Sequence, residues 1–473
     1  MSVAEQMGLT GRRLGGPSGR HARPAGLFYD PAPWVLLVAT LLWWVRMLHQ
    51  STCMQTNPND PIKTMLRMCY SDVPIVWASN GWSRGLPTLG DATQLPQLPV
   101  ISFLISVQRI LLELFLPAGS GLSAQQELNL GNVFLVTNAV VLFCFFLAWV
   151  VAHMLMGRDS TRGRRRDARG RLVSGPARSF DALFIASSVG ILSTGLIAWD
   201  LVAPALTAVA LMLWTRGQVL AAGVLTGVAL GAGIAPMVLV LALAICCVRA
   251  GQLEELLRYS LGLLAALLVV VALAATRSAS AVRRAYLAQL DPEAGLGSMW
   301  YILKDAGLAG QLIPGLSKAT IAVAFAGIAL LALRSPRRPR VAQLACLFML
   351  AGLMLAPTYS PQYVLWGLGW VALARPNLRD WTLYSGAELL YFLAVWGHLQ
   401  GNIRLGPGED IGYPPAIIIR LAASGWIVWT IVRDMLEPWR DPIRRFGADD
   451  PQGGTLDGVA DAAWMTTPPL PAR

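Results

Sequence analysis

The sequence predicts an all-α, polytopic membrane protein of about twelve transmembrane helices with a large first extracytoplasmic loop, and three observations carry that expectation. Of 473 residues, 55% are hydrophobic and only 14% charged, against roughly 25% charged in soluble domains. The mean hydropathy is +0.52. Apolar runs approaching the roughly 20 residues that a bilayer requires recur along the chain. The net charge of +11 is gathered into short Arg-rich stretches between those runs, without the aromatic-studded basic groove of a nucleic-acid binder.

The elements follow in order. Residues 1–32 form a basic N-terminal tail with Arg12, Arg13, Arg20 and Arg23 but no apolar core, so no cleavable signal is expected and Trp34 to Leu48 reads as an uncleaved first span. Spans are expected near 33–50, 131–156, 180–199, 201–215, 218–235, 236–248, 259–276, 315–333, 341–357, 363–375, 381–398 and 414–432. Cytoplasmic loops carry the excess of Lys and Arg. That rule puts the N-terminal tail, GRDSTRGRRRDARGRLVSGPAR (157–178), RSPRRPR (334–340) and the tail from Arg433 inside, with both termini cytoplasmic and the chain multi-pass in the plasma (inner) membrane.

Had 99–115 crossed the bilayer, the Arg-rich 157–178 loop would lie outside and Arg109 and Glu113 would face lipid. The stretch is therefore expected to lie at the outer interface. Two long outer loops remain, 51–130 and 277–313, and long loops in compact proteins are commonly functional. The tail 433–473 is polar, carries Gly and Pro and lacks periodicity, and is expected to be disordered.

Cys144, Cys246, Cys247 and Cys346 fall inside apolar runs and read as small buried hydrophobes. Cys53 and Cys69 lie in the first outer loop with fifteen residues between them. Either they form a disulfide, worth about 3 kcal/mol on the chain-entropy model, or they are two free thiols, and spacing alone leaves both open. A disulfide would hold Asp72 three residues from its anchor.

No metal-ligand spacing, Walker loop or nucleophile elbow is present, and His21, His49, His153 and His398 are scattered. What remains is carboxylates and arginines at the outer face. In CYSDVPIVW (69–77), Asp72 opens a stretch suited to an interfacial helix, where a general base would stand if one substrate were a lipid and the other offered a hydroxyl. It serves equally as a helix cap or as a partner of Arg67 or Arg84. Asp200, in TGLIAWDLVAP, lies at the outer edge of two spans, where burying a carboxylate costs about 2.5 to 3.5 kcal/mol; it is either functional or a cap for the next helix. Glu388 and Tyr391 share one face of a span and suit interhelical hydrogen bonding. Arg283 and Arg284 either bind a lipid phosphate or solvate a loop end.

The run CYSDVPIVWASNGWSRGLP resembles the first-loop motif of actinobacterial GT-C glycosyltransferases near the polyprenol-phosphate-mannose-dependent mannosyltransferases (family 87). QLPVISFL, AWDLVAPALTAVAL with GVLTGVALGAGIAPMVLVL, GSMWYIL, and YSPQYVLWGLGWVALARP extend the likeness over roughly residues 30–455. The resemblance implies a GT-C-like fold and transfer of mannose or another hexose or pentose from a polyprenyl-phosphate donor to a cell-envelope glycolipid or glycan, with inversion and without nucleic acid as a partner. It makes Asp72 the catalytic base. Asp200, Arg84, Arg283, Arg284, Trp300, Tyr359 and Gln362 would line the substrate cavity, with no metal assigned.

The chain departs from the pattern at Gln97 and Leu98, where relatives carry a Glu and then Tyr-Pro. It departs again at Gly233 and Pro357, where they carry Lys. The alternatives are a catalytically silent relative acting as a membrane scaffold, or a transporter or flippase. The latter would show internal repeats and mid-bilayer charges.

Overall fold

Helices form where the apolar runs lie, and the computed structural model describes residues 30–59, 63–79, 97–113, 122–159, 165–166, 172–173, 178–290, 295–401, 403, 412–444 and 449–465. The first third holds α1 (Pro31–Ser51), α2 (Asp72–Ser79), α3 (Pro99–Glu113) and α4 (Ala124–Asp159). A two-residue antiparallel pairing joins Arg165–Arg166 to Leu172–Val173. After a 3-10 turn (Ser179–Ala182) come the short α5 (Leu183–Ala186) and α6 (Val189–Thr194), then α7 (Val202–Thr215), α8 (Val219–Leu230), α9 (Met237–Ala250) and α10 (Leu253–Leu290). The last third holds α11 (Met299–Asp305), α12 (Ile313–Arg334), α13 (Val341–Leu355), α14 (Val364–Ala374), α15 (Leu378–Gln400) and α16 (Tyr413–Leu436).

The architecture is that of a helical membrane protein. Among the described residues, five helical segments are long and apolar enough to cross a bilayer: Pro31–Ser51, Ala124–Gly157, Leu253–Leu290, Gly310–Arg334 and Tyr413–Leu436. Shorter apolar helices fill the bundle between them. Leu261, Leu264, Leu268 and Leu273 on α10 and Val323 and Leu330 on α12 are exposed, which suits lipid and would be an aggregation hazard in water. The exposed face of α4 also carries Cys144, contrary to the expectation that it is buried. The outer loop expected from 277 is instead helical to Leu290, with a non-helical step at Ser278. Ala281 and Ala285 supply the buried face that carries the helix on.

Glycines set the closest helix packing. On α8, Gly223 and Gly227 form a small-xxx-small pair pressed against the Tyr259 and Leu263 carbonyls of α10, and Gly262 of α10 faces the Leu220 carbonyl across the same seam. Such residues let backbones approach where lipid gives no hydrophobic drive for helices to associate. Gly223→Leu is therefore expected to lower stability by about 1 to 3 kcal/mol through overpacking, read as a lower midpoint of thermal unfolding in detergent.

One end of the bundle is basic and is closed by the chain after α16. Arg178 N–H bonds the Gly157 carbonyl, Trp214 Nε1 bonds Gly453 O, and Ala462 N–H bonds Arg249 O. Arg249 donates to Asp461 at 2.9 Å and to Ser335 Oγ at 2.7 Å. Arg340 grips Asp441 through Nε at 2.8 Å, and the Val341 N–H bonds Asp450 at 2.8 Å. Residues 449–465, expected to be disordered, are thus built into the bundle, with Asp450, Gln452 and Leu456 buried. Ion pairs and carbonyl contacts hold this segment, and such contacts leave no hydrophobic periodicity to detect.

Candidate functional site

At the opposite end, the Cys53–Cys69 disulfide, with Cα atoms 6.1 Å apart, closes the chain that follows α1. Gln50 on α1 fixes the same point, donating to the Cys69 carbonyl at 2.9 Å while accepting from the buried Arg46 at 2.7 Å. Two residues on, Ser71 Oγ accepts from the Val73 N–H at 3.3 Å. Ser71 therefore caps α2, and Asp72 is released from that task. The α2 helix is pinned by buried Val73 and by Trp77, whose ring lies 4.8 Å from that of Phe134 on α4.

The Asp72 N–H donates to Ile197 O at 2.7 Å. This single bond ties the first loop to the turn between α6 and α7, which carries Asp200. That turn is itself held: Trp199 Nε1 donates to Asn138 on α4 at 2.7 Å, and Trp366 Nε1 on α14 donates to Asp200 Oδ1 at 3.1 Å. Tyr363 stacks on Trp366 at 4.3 Å with 22° between the rings. Tyr70 hydrogen-bonds Asp72 and packs on Trp396 at 5.4 Å. Two half-buried carboxylates 128 residues apart in sequence (200 − 72) are thus brought near enough for the charge of Asp72 to act on Asp200, in a recess flanked by the rings of Tyr70, Tyr363, Trp366 and Trp396.

Their electrostatics differ. Burial raises the Asp72 carboxyl above its ordinary value, against the Tyr70 hydrogen bond that lowers it. Asp200 is pushed up to about 7, chiefly by burial, with the Trp366 N–H opposing and the Asp72 charge adding to the rise. Asp200 therefore changes charge near neutral pH, mainly because it is buried and to a lesser degree because of the neighbouring Asp72 charge.

The other sequence-derived residues disperse. Arg84 lies outside the described residues. Arg283 and Arg284 sit on the exposed face of the last turns of α10, and the charge acting on Asp200 is that of Asp72. Trp300 is buried and donates to Leu355 O at 2.8 Å, so it fastens α11 to the end of α13 instead of lining a cavity. Tyr359, at 1% exposure, is withdrawn from the recess and donates to Glu388 at 2.8 Å. Gln362 is half-buried and accepts from Ser360 Oγ at 2.6 Å. Among the described residues, no group of three His, Cys, Asp or Glu side chains is placed to hold a metal.

Sequence reasoning passed over Arg420. It is buried at the α16 face, donates to Gly297 O at 3.0 Å and lies 3.6 Å from the centre of the Tyr359 ring. Tyr391 completes the cluster by donating to the Tyr359 carbonyl at 2.8 Å. The signal was a lone charge within YPPAIIIRLAAS, since a guanidinium inside an apolar run demands partners. Arg420 braces the YSPQY turn, and Tyr359, Tyr363 and Trp366 lead from it to Asp200.

Below Trp366 a small, mainly apolar cleft of about 20 Å³ lies between α4, α7 and α14, walled by Trp149, Pro204, Leu211, Met349 and Trp370. No family model matches the chain, and no curated protein is similar to it.

Proposed function

We propose that this chain is an integral membrane glycosyltransferase of the GT-C type. It moves mannose or another hexose or pentose from a polyprenyl-phosphate donor to a cell-envelope glycolipid or glycan at the extracytoplasmic face. The observation that carries the reading is the Asp72 to Ile197 bond, which sets Asp72 beside Asp200 at the end of the bundle opposite the Arg-rich connections. Counting α5 with α6 as one broken crossing gives twelve traverses, formed by α1, α4, α5–α6, α7 to α10 and α12 to α16. The basic end is then cytoplasmic under the positive-inside rule, in a plasma membrane, with both chain ends on that side.

In this mechanism the Asp72 carboxylate removes the proton of an acceptor hydroxyl. The oxygen attacks the anomeric carbon from the face opposite the phosphate, the bond from that carbon to the phosphate oxygen breaks, and polyprenyl phosphate leaves with the electron pair. Inversion follows. Asp200, protonated below about pH 7, keeps the recess from carrying two negative charges against an anionic donor.

Two outcomes follow for Asp200. As pH rises through about 7, kcat/KM for the donor is expected to fall, because the second carboxylate ionises and repels phosphate. Asp200→Asn should remove that alkaline limb, as measured by transfer from labelled polyprenyl-phosphate sugars in membranes at pH 5.5 to 8.5. The stability sign agrees. A carboxyl whose folded pKa is raised contributes stability present below its unfolded value and lost as pH rises through about 7, so Asp200→Asn should also flatten the pH dependence of thermal unfolding. Membranes bearing the chain that transfer none of the tested sugars would sink the reading.

A further inference from the structure

We propose that a cleft at the basic end of the bundle is a binding site for the phosphate-bearing headgroup of an anionic lipid. The inference rests on the membrane character of the fold and is independent of the sugar chemistry above. The cleft is narrow and open at its mouth, and lies between the end of α4, the Ser179–Ala182 turn, the end of α14 and the segment that follows α16. Its walls are mainly apolar, from Met156, Ala182, Leu373, Pro376, Ile443 and Pro451.

His153, Arg178, Asp181 and Gln452 are the polar side chains set in this lining, and among the described residues Arg178 and Gln452 each keep a buried polar atom without a partner. Arg178 gives its Nε to Asp181 at 2.7 Å, yet its Nη2 is buried and without a hydrogen-bond partner. Gln452 is 5% exposed, and its backbone N–H is taken by Asp450 Oδ1 at 3.1 Å, while its side-chain Oε1 is buried and accepts nothing. Leaving such groups unsatisfied destabilises the free protein, and a ligand that pairs with them recovers that loss. The complement is a group offering an anionic oxygen to the guanidinium and a hydroxyl or acidic proton to the amide oxygen. A phosphate monoester bearing one proton, or a phosphodiester beside a hydroxyl, meets both demands.

Two features favour a lipid as the source of that phosphate. His153 and Leu373 line both this cleft and the apolar cleft between α4, α7 and α14, so apolar surface lies next to a headgroup held at Arg178. The chain between 157 and 178 holds eight Arg against two Asp, and a field of that sign draws anionic headgroups to a membrane surface.

The test uses the purified full chain in neutral detergent, titrated separately with dihexanoyl phosphatidic acid, dihexanoyl phosphatidylcholine and inorganic phosphate, with thermal unfolding and native mass spectrometry as readouts. Phosphatidic acid is expected to raise the unfolding midpoint and to be retained in the gas phase. Its apparent affinity should drop about tenfold in Arg178→Gln, the loss of roughly one charge-assisted hydrogen bond. Gln452→Glu should weaken it at least as much by facing the phosphate with a like charge. This second variant keeps the side chain's size and disturbs no bond made by Oε1 in the free protein, so it remains informative if Arg178→Gln fails to fold. An equal shift with inorganic phosphate, lost in both variants, would overturn the lipid as the source and assign a free phosphate. Phosphatidic acid binding that neither variant weakens, or that phosphatidylcholine matches, would overturn the site.

Discussion

Asp72→Asn is expected to lower sugar transfer by about 100- to 10,000-fold, the usual contribution of a positioned general base. The substitution is close to isosteric. The backbone bond from residue 72 to Ile197 O is untouched, Ser71 still caps α2, and the Tyr70 hydroxyl keeps an acceptor in reach. Folding and donor binding should therefore survive, so the loss should appear in kcat with little change in the donor KM. Because an amide has no lone pair basic enough to take the acceptor proton, raising the pH should not restore the rate. Transfer from a labelled polyprenyl-phosphate sugar, assayed beside thermal unfolding of the same preparation, separates chemistry from stability. Full activity in Asp72→Asn would remove Asp72 as the base. An unchanged growth or envelope phenotype together with absent activity in the unmodified chain would favour a scaffold.

Much of this recess was legible from the sequence, because membrane topology is a strong constraint. On the expected topology the Arg-rich connections share one side, and with 99–115 kept from crossing, Asp72 and Asp200 fall together on the other. What sequence alone could not supply was the bond that brings them together, from a backbone N–H at position 72 to a carbonyl at 197. Such a contact leaves no trace in residue type. The roles of Tyr359 and Trp300 went astray for a related reason. Both carry a polar tip on an aromatic body, and in these positions the tip is satisfied inside the bundle, on Glu388 and on the Leu355 carbonyl, which sequence cannot distinguish from a tip turned toward substrate.

The GVLTG seam on α8 is the opposite case. Its small-xxx-small spacing is visible in the sequence, and that spacing permits the close backbone approach. The tail was misjudged through composition. Segment 449–465 has few large apolar residues, yet its carboxylates and carbonyls meet arginines projecting from the ends of α9 and the α12–α13 connection. Order there comes from saturating buried guanidinium groups, and disorder rules based on hydrophobicity do not weigh that.

Those buried guanidinium groups define the largest stability effect, and Arg340 is its clearest case. Arg340 and Asp441 are each 0% exposed and joined through Nε at 2.8 Å and Nη2 at 3.2 Å. The remaining donor capacity reaches the Leu373 and Ala374 carbonyls at the end of α14, while Asp441 also accepts from Gln343 and from the Ile443 N–H. Burial alone would raise the Asp441 carboxyl, but the Arg340 guanidinium, the Ile443 N–H and the Arg444 charge together hold the group below its ordinary value. The pair's contribution is therefore present at neutral pH and lost only as pH falls through the lowered carboxyl value. Asp441→Ala strands a charge with no access to water and is expected to cost about 3 to 5 kcal/mol, seen as a large fall in the unfolding midpoint and as new tryptic cleavage between Arg433 and Arg444. Asp461→Ala should cost far less, since Asp461 is 25% exposed and its partner Arg249 keeps Ser335 and the Ala332 carbonyl. The double change Arg340→Met with Asp441→Leu removes both charges and should recover much of the loss. If Asp441→Ala unfolds no more readily than Asp461→Ala, the tail does not clamp the helix ends, and the order of residues 449–465 has another origin.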